Sequence, residues 1–218
     1  MHAMLVPSFG LAPHTAMMIY IIIGFAVFAL VMGRRIKLIP GLTQGVVEIV
    51  VEGFFQLADE SMGHKGRKYL PYILTFALFI LASNAMGLIP GLLPPTANLN
   101  STLGLAVIVF LITHIVGFKE HGVKYIKHFI GPVWWMAPLM LPIELIGHFA
   151  RPVSLSLRLF GNIMGHEQIV GVLIMLMPLA YPILAISTVL GVVVVLLQTF
   201  IFCLLSMMYI GGALEESH

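Results

Sequence analysis

The chain has 218 residues, 60% of them apolar and only 9% charged, with a net charge of +2 and a mean hydropathy of +1.05. A soluble domain carries about 25% charged residues, so this surface is not one that water alone can solvate. The small net charge gives no reason to expect a nucleic-acid partner, and the single cysteine, Cys203, excludes an intrachain disulfide and reads as an inert membrane-facing or packing residue in an apolar run.

The first predicted element is a span over about Thr15–Gly33. The residues before it hold no Lys or Arg, whereas Arg34, Arg35 and Lys37 follow it. That asymmetry predicts a retained helix with its N-terminus outside, and no cleavable signal peptide. Leu42–Met62 is apolar but interrupted by Glu48, Glu52 and Asp59, which recur on one helical face. It reads as an amphipathic helix on the membrane surface. His64, Lys65, Arg67 and Lys68 form a basic collar before a second span, about Tyr69–Leu88.

A proline-rich loop from Ile89 to Asn100 holds no basic residue, and a third span follows over about Ser101–Phe118. In and around that loop, Asn84, Asn98 and Asn100 read as turn or cap residues. Lys119, Lys124 and Lys127 make the third basic cluster, and Pro132, Trp134 and Trp135 mark re-entry at an interface. The last two helices run about Ala137–Met177 and Pro182–Gly211. Forty residues reach roughly 60 Å, twice the hydrocarbon thickness. The first of the pair must therefore tilt, kink near Pro142 or Pro152, or include a surface segment, and a steeply tilted hairpin turning at Pro178–Pro182 is expected.

The fold expected is all-α and polytopic: about five crossing helices, an amphipathic surface helix and the long tilted hairpin. It forms one membrane domain, 1–218, with an N-terminal part over 1–68, two central spans over 69–131 and the hairpin over 132–218. Nine of the eleven Lys and Arg fall in the three clusters. The positive-inside rule places those in the cytoplasm, together with the C-terminus.

The remaining two, Arg151 and Arg158, lie inside the longest helix. A guanidinium keeps its proton, and placing it at a membrane helix centre costs at least about 2.5 kcal/mol. It must face a watery cavity or a partner, unless it snorkels to an interface or locks helices through a static ion pair. At about 100° per residue, Glu144, Arg151, Ser154 and Asn162 share the face of Arg158, whereas Glu167 projects nearly opposite. Two carboxylates on different sides, with an obligate cation between their levels, suit two separate aqueous routes. Gln198 is a further intramembrane polar group, with a helix–helix contact as its plainer reading. His114 and His148 read as packing histidines rather than relays. No zinc-binding histidine spacing and no phosphate-cradling glycine loop occurs, so no metal, cofactor or bound nucleotide is expected.

The run Pro152-Val153-Ser154-Leu155-Ser156-Leu157-Arg158-Leu159-Phe160-Gly161-Asn162, followed by Gly165-His166-Glu167, resembles the signature helix of subunit a of the F-type ATP synthases. Leu197-Gln198-Thr199-Phe200-Ile201-Phe202 and Asn84-Ala85-Met86-Gly87-Leu88-Ile89-Pro90 are similar to its last and second spans. The resemblance covers nearly the whole chain. It implies that Arg158 is the essential stator arginine facing a carboxylate on each helix of a rotating c-ring. Ser154, Asn162, Glu167 and Gln198 match positions lining the ion pathway, and Glu144 a further polar position. Asn98 stands where some members carry Asp. His166 occupies a place often held by a small residue, and Gly191 one where some members carry His, which implies an exchange that keeps one imidazole in the same cavity.

The implied function is ion, in the first place proton, translocation through two offset half-channels, coupled to ATP synthesis but not catalytic alone. The implied partners are the c-ring, the peripheral-stalk subunit b and the rest of the synthase. The expected location is a bacterial inner membrane, since the chain shows no transit-like leader. The alternative is a stand-alone secondary transporter or ion channel, although no convincing internal repeat is present. An intramembrane hydrolase is disfavoured because Ser154 has no histidine in reach on its own helix.

Overall fold

The computed structural model describes residues 12–34, 37, 41–89, 92–122, 125, 137–175 and 181–214, and all regular structure among them is helical. Six α-helices follow in order: α1 Pro13–Gly33, α2 Leu42–Gly66, α3 Leu70–Met86, α4 Leu99–His121, α5 Ala137–Met175 and α6 Tyr181–Leu214. Short 3-10 turns at Arg67–Tyr69 and Pro95–Ala97 precede α3 and α4. The expected turn at Pro178, the interfacial Trp134 and Trp135, and the basic residues Lys124 and Lys127 lie outside the described residues.

Local chemistry sets the helix ends. Pro13 opens α1, where a missing N–H costs no helical hydrogen bond. Gly63 sits at φ 65°, a left-handed conformation that breaks the path of α2 before the chain turns into α3. Asn98 caps α4, its side chain accepting from the Asn100 backbone N–H at 2.9 Å. The cap reading of Asn98 therefore holds. Helix α5 runs unbroken through Pro142 and Pro152, so neither proline ends it.

Among the described residues four stretches are long and apolar enough to cross a membrane: Pro13–Val31, Gln44–Met86, Leu99–His121 and Ala185–Leu214. Helix α5, at 39 residues, is longer than α4 or α6 but carries Glu144, Arg151, Arg158 and Glu167 along its length. Including it gives five crossing elements. Outward-facing apolar side chains fit a lipid environment; Ile22, Ile23 and Leu30 of α1 are 57%, 54% and 63% exposed.

Among the described residues the interior has two apolar clusters. Ala58 and Met62 of α2 pack with Leu70, Ile73 and Ala77 of α3 and with Cys203, Met207 and Ile210 of α6. Phe76 and Ile80 pack with Leu105, Ala106 and Val109 of α4, Leu155 and Leu159 of α5, and Phe202. Cys203 is fully buried, as its packing role requires. Gly211 lies against the Ser61 backbone, and any Cβ there would collide with it, which fixes the close approach of α2 and α6. Two buried hydroxyls of α6 are satisfied within their own helix: Thr199 donates to the Val195 carbonyl at 2.9 Å and Ser206 to the Phe202 carbonyl at 2.7 Å.

Ion pairs show which helix ends lie together. Lys65 and Lys68 reach Glu120 at 3.6 and 3.2 Å, so the basic collar before α3 and the end of α4 share one end of the bundle. The His14 Nδ1 lies 3.3 Å from the Pro94 carbonyl, so the start of α1 meets the Pro-rich loop. The exposed Arg67 guanidinium, bonded to Asp59, holds that carboxyl well below the usual range, at about 2.

Candidate functional site

The polar residues of α5 divide between two faces. Ser154, Arg158 and Asn162 recur every four residues and are all exposed. Beside them Val153 and Leu157 are 48% and 50% exposed, while Leu155, Leu159 and Ile163 on the other side are buried against α3, α4 and α6. Arg158 makes no hydrogen bond or ion pair with any described residue. Among the described residues, no static internal salt bridge, the plainest alternative for an intramembrane arginine, holds it there.

One turn beyond Arg158, Asn162 lines an open cleft of about 520 Å³ between α5 and α6. Gly161, Gly165 and His166 contribute from α5, and Ser187, Gly191 and Val194 from α6. Glu167 is half-buried and lines a second, enclosed cavity with His166, Asn84 and Gly191. That space is about 10 Å³, close to what a single water needs. His166 borders both spaces. The two carboxylates Glu144 and Glu167 face different neighbourhoods, as helical geometry predicts.

Gly191 meets His166 directly. A Cβ built there would lie 2.8 Å from the imidazole Cε1, 2.9 Å from Nε2 and 2.7 Å from the Leu88 Cδ2. The absent side chain at position 191 is therefore the room that the imidazole occupies. A side chain at position 191 would compete with the His166 imidazole for the same space.

Asn84 corrects the sequence reading. It is no turn or cap residue through its side chain; it is 1% exposed, and its Oδ1 accepts from Thr96 Oγ1 at 2.8 Å. Thr96 is itself fully buried. Because the oxygen is taken by Thr96, the amide nitrogen, which has no protein partner among the described residues, is left for the cavity beside Glu167. An asparagine near a proline-rich loop gave no signal that separates this role from a turn.

Glu144 belongs to a third neighbourhood. Its Oε1 lies 3.3 Å from His148 Nε2, and Arg151 stacks over the Tyr209 ring of α6 at 5.4 Å. Arg151 therefore turns into the bundle while Arg158 turns out of it. Gln198 is half-buried on α6, and Asn98 caps α4 at the start of that helix; neither lines the cleft beside Asn162. Among the described residues no cluster of His, Cys, Asp and Glu has the grouping of a metal site.

Similarity to known proteins extends over most of the chain. The family model described as "ATP synthase A chain" matches residues 14–211. The chain is 57% identical to "ATP synthase subunit a 1" of Syntrophotalea carbinolica over 87% of this chain and 80% of that protein. It is 50% identical to "ATP synthase subunit a" of Geobacter sulfurreducens over 91% of this chain and 86% of the relative. The chain belongs to the ATP synthase A chain family.

Proposed function

We propose that this chain is the ion-translocating stator subunit of an F-type ATP synthase, carrying protons along two offset half-channels beside a rotating c-ring. The carrying observation is Arg158: a permanent cation, exposed and without an ion pair to any described residue, on an apolar outward face next to an open cleft. A charge so placed needs a partner from outside the chain. A carboxylate presented by each ring helix in turn supplies it.

The chemistry follows from electrostatics. A fixed guanidinium favours the ionised form of an approaching carboxylate. The ring acid therefore releases its proton before it meets Arg158 and reloads after it has passed. The same charge repels a cation that would cross straight from one half-channel to the other. Each charge moved through 100 mV supplies about 2.3 kcal/mol, and offset access converts that work into rotation in one direction. Asn162, His166, Glu167 and Asn84 line one route. Ser154, on the Arg158 side of the helix, and Glu144, beside His148, line the other, and Gln198 borders the pathway from α6.

The chain alone makes no ATP. Its partners are the c-ring, the peripheral-stalk subunit b and the remaining synthase subunits. The location is a bacterial inner membrane, with α2 on the membrane surface, the N-terminus outside and the C-terminus cytoplasmic. The shared end of the second and third basic clusters supports that orientation.

The test is Arg158→Ala. The complex is expected to assemble, because the side chain bonds to no described residue of its own subunit, and ATP synthesis driven by a proton gradient is expected to vanish. Synthesis at the normal rate in the assembled variant would refute the role. Co-purification of a ring of small two-helix subunits separates this reading from a transporter acting alone.

A further inference from the structure

The neighbourhood of Glu144 holds more titratable groups than the pathway above uses. His148, on the same helix, has a side chain only 6% exposed and lies 3.3 Å from Glu144, whose side chain is 37% exposed. His114 of α4 faces it, with ring centroids 5.3 Å apart and planes at 38°. On its other side His114 Nδ1 lies 3.0 Å from the hydroxyl of Tyr125, which is itself 4% exposed. Both imidazoles border a cavity of about 10 Å³, on the order of one water, closed by Arg151, Pro152 and Tyr209.

We propose that His114 and His148 form a proton-transfer station behind Glu144, connecting that partly exposed carboxyl to Tyr125 and the end of α4. The proposal rests on the proton-pathway reading given above. The series runs from exposed to buried: Glu144, then His148, then His114 and Tyr125. A ring-centroid distance of 5.3 Å allows the nearest nitrogens to approach within one hydrogen bond or one bridging water. A neutral imidazole has one accepting and one donating nitrogen, so it takes a proton on one side and gives one up on the other. In the step itself, the Glu144 carboxyl, 3.3 Å from His148 Nε2 but out of hydrogen-bond alignment with it, turns toward that nitrogen, and its O–H bond breaks as a bond forms there. The N–H bond at His148 Nδ1 then breaks, and its proton passes to His114 directly or through the cavity. Charge and protons balance at every hop, and ring reorientation resets His148.

The groups facing the pair are Glu144 and Arg151 on α5, Tyr125 beyond α4 and Tyr209 on α6. The fixed charge of Arg151, held over Tyr209, sits in the same cluster.

The test uses the whole synthase in liposomes. Passive proton flux through the membrane sector is measured across pH 5.5–8.5 (about 7 at its centre, near the unperturbed imidazole range). The variants are His148→Gln, His114→Gln and the double replacement. Gln keeps a hydrogen-bonding side chain but cannot relay a proton. The double variant is expected to lose about tenfold in flux, to lose the inflection in the neutral range, and to regain part of the flux when imidazole is added as a mobile carrier. Parent-like flux and pH profile in the assembled double variant would overturn the station. So would a loss that added imidazole does not change, which marks a structural role only. Should the double variant fail to assemble, the single replacements decide by the same readouts. Arg158→Ala in parallel separates the two ideas: if it loses coupled synthesis while the histidine variants match the parent, only the station falls.

Discussion

Adding one methyl group at position 191 tests the central geometry of the α5–α6 contact. A Cβ there would lie 2.7 Å from Leu88 Cδ2, 2.8 Å from His166 Cε1 and 2.9 Å from His166 Nε2. Ordinary contact between such atoms needs about 3.5–4.0 Å, so the imidazole and the Leu88 methyl must each retreat by roughly 0.6–1 Å. Overpacking of this size costs about 1–3 kcal/mol. Both short contacts to His166 are to the far end of a side chain that can rotate, so the strain is expected to appear as displacement of the ring rather than loss of the fold. A misplacement of about 1 Å in a catalytic arrangement costs up to about a hundredfold in rate. Gly191→Ala is therefore expected to slow ATP-driven proton pumping in inverted vesicles by at least about tenfold while the complex still assembles. In a His166→Gly background two of the three short contacts are gone, and the same methyl should then cost much less. The double-mutant cycle is expected to show coupling of about 1 kcal/mol or more in favour of the pair. Gly191→His with His166→Gly, which moves the ring to the other helix, should pump faster than either single variant. Additive effects, within about 0.5 kcal/mol, would refute the claim that one imidazole fills the space left by this glycine.

Glu167→Gln is expected to slow pumping without preventing assembly, because Asn84, His166 and water remain to bridge the route; an unchanged flux would remove Glu167 from the path. Thr96→Val leaves the buried Asn84 Oδ1 without its donor, at a cost of about 1–3 kcal/mol. A lowered melting temperature of the complex, with slower pumping, is the expected readout, and a parent-like result in both would exclude the orienting role. At the exposed pair, Arg67 lowers the Asp59 carboxyl to about 2 against an ordinary value near 3.9. A depressed carboxyl contributes stability that is present above about pH 4 and lost as pH falls toward 2. A carbon-13 titration in micelles should find the Asp59 midpoint near 2, moving to about 4 in Arg67→Gln; a midpoint already near 4 in the parent would show that the pair does not form.

Much of the helical framework was legible in the chain because lipid imposes a simple rule. Backbone polar groups must be satisfied internally, so each apolar run of about 20 residues reads as a helix. The spans predicted at Thr15–Gly33, Tyr69–Leu88 and Ser101–Phe118 correspond to α1, α3 and α4 within a few residues. The division of α5 into an Arg158 face and a Glu167 face was also legible, since it depends only on about 100° per residue. Spacing along one helix says nothing about what the next helix contributes, which is why Asn84 read as a turn residue.

The sequence by itself determined the membrane class, the helical spans, the obligate charge of Arg158 and the separation of the two carboxylates, because these follow from composition, periodicity and a proton that arginine does not release. Only the tertiary structure decided that Arg151 turns inward onto Tyr209 while Arg158 stays outward. It also decided that His166 fills the space of Gly191, that Thr96 aims Asn84, and that His114 meets His148. Each of these is a contact between different parts of the chain, and contacts of that kind are set by how faces pack rather than by any local pattern of residues.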